Sequence, residues 1–426
     1  MISDFFADLA QRNGPAYGAG PTGFKRLMHR LGDPQNSYSI IHVAGTNGKG
    51  SVCYLLAQVL QEAGYKTGLF VSPHLQSPRE RIQINGHLIS RAALERLYRQ
   101  VVNAEEEKLN FFEILTAIAF LYFAQKKVKY VVLETGLGGH KDPTNICKPV
   151  ACAITSIGLD HCQVLGNTLT QIAQEKAGII KPKTPVFCPP LPTSVQAVIS
   201  QRARQQSAPC YELKEADPFS FHHVNWRRGF LYIQKGKTRW KLGVLGEKQL
   251  QNACLVYQIC KKLAIAEQAI RKGFSRVHVP GRFEIVHLPK HTVILDGAHN
   301  PQAMGHLLDF LQKSPWKQKM ACICGFMQDK DYPAMLKLLS SHIQTIGLTS
   351  ILHPRAVAPA QLKAGMPASQ QIAVYNRPTT AWKAISKQHN TILVTGSFYL
   401  VGWFKKYLQQ KAHRTVQSYA RVARKD

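Results

Sequence analysis

The chain has 426 residues, 45% of them apolar and 19% charged. That composition excludes a disordered protein, and the length exceeds one ordinary core, so two domains are expected. The formal charge of +29 predicts attraction to anions, but no aromatic-interleaved basic platform accompanies it, so nucleic acid is not an expected partner.

No apolar run approaches the ~20 residues of a membrane helix, and the start carries Asp4 and Asp8 rather than a basic leader. No membrane partner is therefore expected, and the expected compartment is the cytoplasm. The ten cysteines form no CxxC pair and read as reduced core thiols rather than a zinc site.

In chain order, the apolar run 38–43 and a helix-like stretch 52–63 flank Val43-Ala-Gly-Thr-Asn-Gly-Lys-Gly-Ser51. Glycines there let backbone N–H groups turn inward at a helix N-terminus, with Lys49 and Ser51 placed to meet phosphate and a cation. Thr46, Asn47, Gly48, Lys49, Gly50 and Ser51 are candidate nucleotide contacts. The loop is a variant of the common phosphate-loop pattern, with Val43 in place of the first glycine and Gly50 inserted between Lys49 and Ser51.

Ser72 follows the strand-like stretch 67–71. After the helical stretch 112–123 comes a strand at 130–133, ending in Glu134 and a glycine-rich loop to Gly139. Ligands of open sheets bind at strand C-termini, and a carboxylate there suits magnesium. The strand 151–157 leads to Asp160 and His161. His161 reads either as a phosphate contact or as a metal ligand, and Asp160 reads either as a site group or as a cap. Lys176 ends the helix-like run 169–179, where interaction with the helix dipole is the plain explanation. A strand follows at 184–187.

Residues 208–243 carry short aromatic pieces at 219–221, 230–233 and 240–242 that read as antiparallel strands. Helices are expected at 249–263 and 265–274, with a hinge over 281–289 and Arg282 on it. The βα alternation then restarts: strands 293–295, 321–324 and 345–348, helices 301–311 and 332–339, and turns at 371–374 and 391–394. Asp296, His299 and Asn300, after a strand and before a proline-led helix, could cap that helix or orient an amine or ribose. The fold expected is α/β: an N-terminal phosphate-loop domain with a mostly parallel sheet over 1–283, a smaller Rossmann-like domain over 290–413, and a basic tail at 414–426.

These segments together resemble the folylpolyglutamate synthase and dihydrofolate synthase family, relatives of the Mur ligases. The resemblance rests on residues 42–51, 72–75, 134–139, 159–161, 175–178, 249–253, 280–283, 296–301 and 395–397. It implies an ATP-dependent ligase joining L-glutamate to dihydropteroate or a reduced folate through an acyl phosphate, working as a monomer. Ser51, Ser72, Glu134 and His161 then look like magnesium ligands, and Lys176 like a lysine that becomes carbamylated to help hold a second magnesium. Asn252, Arg282 and Asp296 are similar to nucleotide contacts. Lys49, Lys176 and His299 take catalytic roles, and Phe112, Glu113, Thr116, Gly139, Asp142, His299 and Ser397 are similar to substrate contacts. Residues 18–34 resemble a pterin-site loop, which favours a bifunctional enzyme. Departures from the family pattern fall at His140, Lys141, Pro143 and Lys248. The competing readings are a Mur-type amino-acid ligase of cell-wall synthesis and a nucleic-acid-stimulated ATPase.

Overall fold

The computed structural model describes residues 5–12, 19–213, 218–317, 319–364, 366 and 371–422. The chain divides into two units, Met1–His223 with Leu231–Gly243 and Lys248–His278, and Val224–Phe230 with Val244–Glu247 and Val279–Asp426.

The first unit is built on eight strands: β1 Ser39–Ala44, β2 Thr67–Phe70, β3 Ile82–Ile84, β4 His87–Leu88, β5 Tyr130–Glu134, β6 Ala151–Ile154, β7 Val186–Cys188 and β8 Cys210–Glu212. They run in the order β4-β3-β2-β5-β1-β6-β7-β8. All pairings from β2 to β8 are parallel, and β3 and β4 are antiparallel additions at one edge. The central strands are apolar on both faces because helices cover both. One core gathers Phe24, Phe70, Phe120 and Phe123, all fully buried; another gathers Ile154, Ile172, Ile180 and Ile199.

The chain steps from β1 to β2 on one side, and later from β5 to β6 on the other, so β1 lies at the point where the winding reverses. Open sheets hold ligands in the crevice outside the strand C-termini at such a point. Three strands β9 Ser220–Asn225, β10 Phe230–Lys235 and β11 Thr238–Leu242 form a separate antiparallel sheet. The helices Lys248–Lys262 and Glu267–Arg276 follow. The second of these packs so closely on Lys49–Glu62 that a Cβ at Gly273 would sit 2.6 Å from Val59.

The second unit holds β12 Glu284–Leu288, β13 His291–Leu295, β14 Met320–Cys324, β15 Thr345–Thr349, β16 Gln371–Tyr375 and β17 Thr391–Thr395 in the order β12-β13-β17-β14-β15-β16. Only β12 is antiparallel. Two expectations are corrected here. The segment 281–289 contains β12, paired residue by residue with β13, because Glu-Ile-Val-His-Leu is a strand-forming sequence once an edge is available. The segments 371–374 and 391–394 are strands, not turns, and β17 is central, paired to both β13 and β14. A short apolar run has no periodicity to betray a strand buried on both faces. The helix Phe398–Val422 extends through part of the stretch expected as a tail, and residues 423–426 and Gly18 lie outside the described residues. No described helix is long and apolar enough to cross a membrane.

Candidate active site

The phosphate loop leaves β1 at Ala44, and the helix Lys49–Glu62 begins five residues on. Gly48 precedes it with φ +88°, and a Cβ there would stand 2.9 Å from Asn252 Oδ1. The positive φ is what calls for glycine here. The loop is pinned to the end of β6: Thr46 N donates to Ser156 O (2.8 Å), Asn47 N to Ser156 Oγ (2.9 Å), and Thr155 Oγ1 to Asn47 O (2.6 Å). The amides of Thr46 and Asn47 are therefore committed to structure. The anion-facing donors are those of the first helical turn, which have no carbonyl within the helix to bind. Thr155 and Ser156 escaped the sequence reading, although hydroxyl residues at a strand C-terminus were the available signal.

Two cations converge on one carbonyl. Lys49 Nζ donates to Gly45 O at 3.0 Å and to Thr46 O at 3.2 Å, and Lys176 Nζ donates to Gly45 O at 2.8 Å. Lys176 is 4% exposed. Burial, then repulsion from Lys49, lowers its pKa to about 7, against the opposing pull of Asp160, Asp142 and Glu175. The helix Leu169–Ala177 carries it, started by a capping box between Thr168 and Gln171.

Glu134 is the last residue of β5, in register with Val43, and is 2% exposed. Its Oε2 accepts from Ser72 N at 2.8 Å, and a Cβ on Gly50 would lie 3.8 Å from both carboxylate oxygens. Ser51 Oγ accepts from Gln249 Nε2 (3.2 Å), and Gln249 Oε1 accepts from Asn252 Nδ2 (2.9 Å). Gln249 thus joins Ser51 to Asn252, a bridge that residue types alone did not reveal. His161 adopts a left-handed conformation with φ +52° and stands 3.8 Å from Asp160 Oδ1. The hydroxyls of Ser51 and Ser72 and the Glu134 carboxylate are hard oxygen donors beside a glycine-shaped anion cradle, so the residues present fit a magnesium nucleotide.

The loop after β5 is held by Asp142, 2% exposed, whose Oδ2 accepts from Gly136 N (2.9 Å) and Leu137 N (2.8 Å). Burial raises its pKa against these hydrogen bonds. A Cβ on Gly139 would meet Glu175 O at 2.7 Å and Lys176 Cα at 3.0 Å, so the loop lies directly on the lysine's helix. Phe112 covers Gly136 and packs on Phe70. Glu113 is fully buried, and its Oε2 accepts from Asn110 N (2.9 Å) and Ala19 N (3.2 Å). Thr116 Oγ1 donates to Phe112 O within their helix at 2.8 Å. Glu113 and Thr116 are therefore held in hydrogen bonds with the backbone, and Phe112 and Gly139 shape the loop.

In the second unit, Asp296 directly follows β13 and accepts from Phe283 N and Ala298 N, each at 2.8 Å. Burial raises its pKa, and Arg282 opposes the rise. Arg282 lies 4.5 Å over the Phe398 ring. His299 Nδ1 is 2.8 Å from Gly297 O, and its ring is 5.4 Å from that of Phe398. Ser397 Oγ accepts from Tyr399 N at 3.2 Å. Asn300 caps the helix Pro301–Gln312. Arg282, Asp296, His299 and Ser397 thus gather around Phe398.

Two family models cover most of the chain: the Mur ligase middle domain over residues 43–260 and the Mur ligase glutamate ligase domain over 281–398. Fold and site therefore define an ATP-dependent amide-forming ligase of the Mur type. A dihydrofolate synthase/folylpolyglutamate synthase of Bacillus subtilis is 35% identical across 90% of this chain and 94% of its own. Among solved structures, Escherichia coli FolC in complex with DHPP and ADP superposes with a TM-score of 0.84 at 27% identity, covering 96% of this chain and 97% of that one. The Yersinia pestis bifunctional enzyme with AMPPNP and Mn ion gives 0.83 at 29%, covering 95% and 97%. The chain belongs to the folylpolyglutamate synthase/dihydrofolate synthase family.

Proposed function

We propose that this protein uses ATP to join L-glutamate to the carboxyl group of dihydropteroate and of reduced folates, as a bifunctional enzyme. The observation that carries the reading is Lys49, held by Gly45 O and Thr46 O at a helix N-terminus beside Glu134, with the buried amine of Lys176 on the same Gly45 carbonyl. Carboxylate and triphosphate repel, and concentrated positive charge is what lets them approach.

Lys49 and the first-turn amides bind the phosphates. Ser51, Ser72, Glu134 and His161 would hold magnesium, which supplies charge neutralisation at the transferring phosphoryl group. An acceptor carboxylate oxygen attacks the γ-phosphorus, the bond to the β-phosphate oxygen breaks, and an acyl phosphate and ADP result. The glutamate amine then attacks the acyl carbon, and phosphate leaves. Lys176, with its pKa lowered to about 7, has a substantial neutral fraction at neutral pH. A neutral amine can add carbon dioxide, and the carbamate so formed would offer oxygens to a second magnesium. Arg282, Asp296 and Asn252 serve the nucleotide, and His299 and Ser397 the incoming glutamate. Phe112, Glu113, Thr116, Gly139 and Asp142 form the pterin side.

The test supplies purified protein with ATP, magnesium and radiolabelled glutamate, with dihydropteroate or tetrahydrofolate in parallel tubes. Labelled product is expected with both acceptors. Product with one alone removes bifunctionality, and nucleotide hydrolysis with product from neither removes the ligase reading.

A further inference from the structure

His42 lies within β1, fully buried between Ile41 and Val43, which are fully buried too. No step of the proposed reaction uses it. Both ring nitrogens have partners on one short segment: Nε2 is 2.9 Å from Thr144 Oγ1, and Nδ1 is 3.6 Å from Cys147 Sγ. That segment is the 3₁₀ turn Pro143–Ile146 with the cysteine that follows it, and Asp142 caps its N-terminus. Thr144 and Cys147 are buried as well.

The protons along this chain of atoms have one arrangement. Asp142 takes the amides of Gly136 and Leu137 on Oδ2 and the amide of Thr144 on Oδ1. The Thr144 hydroxyl donates its only proton to the same Oδ1, so Thr144 Oγ1 is left to accept, and its donor is His42 Nε2–H. Burial, then the charge of Lys181, lowers the His42 pKa to about 3, so the ring carries one proton and Nδ1 is bare. The Cys147 thiol, pushed up to about 12 by burial, keeps its proton and donates it to Nδ1. Every bond points the same way, from Cys147 through His42 and Thr144 to Asp142, and hydrogen bonds aligned in this manner polarise and strengthen one another.

We infer that His42 is a positioning residue: through Thr144 it orients Asp142, and Asp142 fixes the loop between Glu134 and Gly139. Glu134 leads directly into that loop, and Gly139 at its far end lies against the helix of Lys176, where a Cβ would meet Glu175 O at 2.7 Å. An apolar side chain at position 42 leaves Thr144 Oγ1 buried without its donor. The hydroxyl is then free to turn away from Asp142, and the grip of Asp142 on the Gly136 and Leu137 amides loosens. The kinetic side of this inference rests on the ligase reading, with the loop on the pterin side; the hydrogen-bond side stands without it.

Two measurements on the full-length protein test it. In NMR spectra of protein carrying ¹⁵N-labelled histidine, the His42 ring is assigned by its loss in His42→Gln. It is expected as the neutral tautomer protonated at Nε2, unchanged between about pH 5 and 8, the range in which an ordinary histidine titrates, and shifted in Thr144→Val. A ring protonated at Nδ1, or one that titrates in that range, overturns the inference whether or not the protein ligates glutamate. The second measurement is kinetic. Glutamine keeps an N–H donor close to the place of Nε2, whereas leucine keeps only the bulk. His42→Leu and Thr144→Val are expected to raise the KM for the pterin acceptor about three- to tenfold, the net worth of one hydrogen bond, with the KM for ATP unchanged. In His42→Gln and Thr144→Ser the acceptor KM should stay within about twofold of the wild type, since each keeps the hydrogen-bonding group. Urea midpoints separate this from packing alone, because a buried leucine is expected to be at least as stabilising as a buried glutamine. An acceptor KM in His42→Leu equal to that of the wild type, or one that ranks the variants as their urea midpoints do, overturns the inference.

Discussion

Lys176 is the residue whose environment most directly ties stability to chemistry. Its folded pKa of about 7 lies below the ordinary value of 10.5, so between those pH values the unfolded chain holds a proton that the folded chain lacks. Stability therefore rises with pH from about 7 upward, by at most about 1.4 kcal/mol per unit from this group. Urea unfolding in carbonate-free buffer between pH 7 and 9 should show that rise in the wild type and a smaller one in Lys176→Met. Identical slopes would mean the amine is not buried as described. Lys49→Ala should cut ligation by about 10²–10³-fold, the usual loss when a transition-state charge partner is removed. It should change unfolding free energy by less than about 1 kcal/mol, since Lys49 contacts only loop carbonyls in the described hydrogen bonds. Steady-state assays beside urea titrations measure both. For Glu134→Gln we expect activity and apparent magnesium affinity to fall together, read from magnesium titrations of initial rate; an unaltered titration midpoint would take Glu134 out of the metal site.

At the scale of elements, the close approach of the 134–139 loop to the lysine's helix is the arrangement most easily broken. Gly139→Ala forces a methyl group to within 2.7 Å of the Glu175 carbonyl, backbone that cannot swing aside. Destabilisation of about 1–3 kcal/mol is expected from such overpacking, measured as a lower urea midpoint, with a larger proportional loss of ligation because the loop and Lys176 separate. The phosphate loop was legible in the sequence because glycine spacing, lysine and serine state a backbone requirement locally. Glu134 was legible because a carboxylate at the end of Tyr-Val-Val-Leu has no packing reason to be there. By contrast, β12, β16 and β17 were hidden, since a run of five residues becomes a strand only through the partners that tertiary structure supplies. The same reason hid the bridging role of Gln249: its hydrogen bond to Ser51 joins residues 198 positions apart in sequence. The hydrogen bonds of Thr46 and Asn47 to Ser156 depend likewise on β1 and β6 lying side by side, which residue types do not encode.

For the whole molecule, the formal charge of +29 sets a field that draws anions, and every substrate of the proposed reaction is an anion. Phosphoryl activation of a carboxylate is the one step that requires such charge at the phosphate loop, and it leaves an isotopic record. An acceptor labelled with ¹⁸O in its carboxyl group, incubated with ATP, magnesium and glutamate, should pass one labelled oxygen to the inorganic phosphate released, as read by mass spectrometry. Phosphate carrying no label while the amide forms would contradict the acyl phosphate, and with it the role given to Lys49, Lys176 and Glu134.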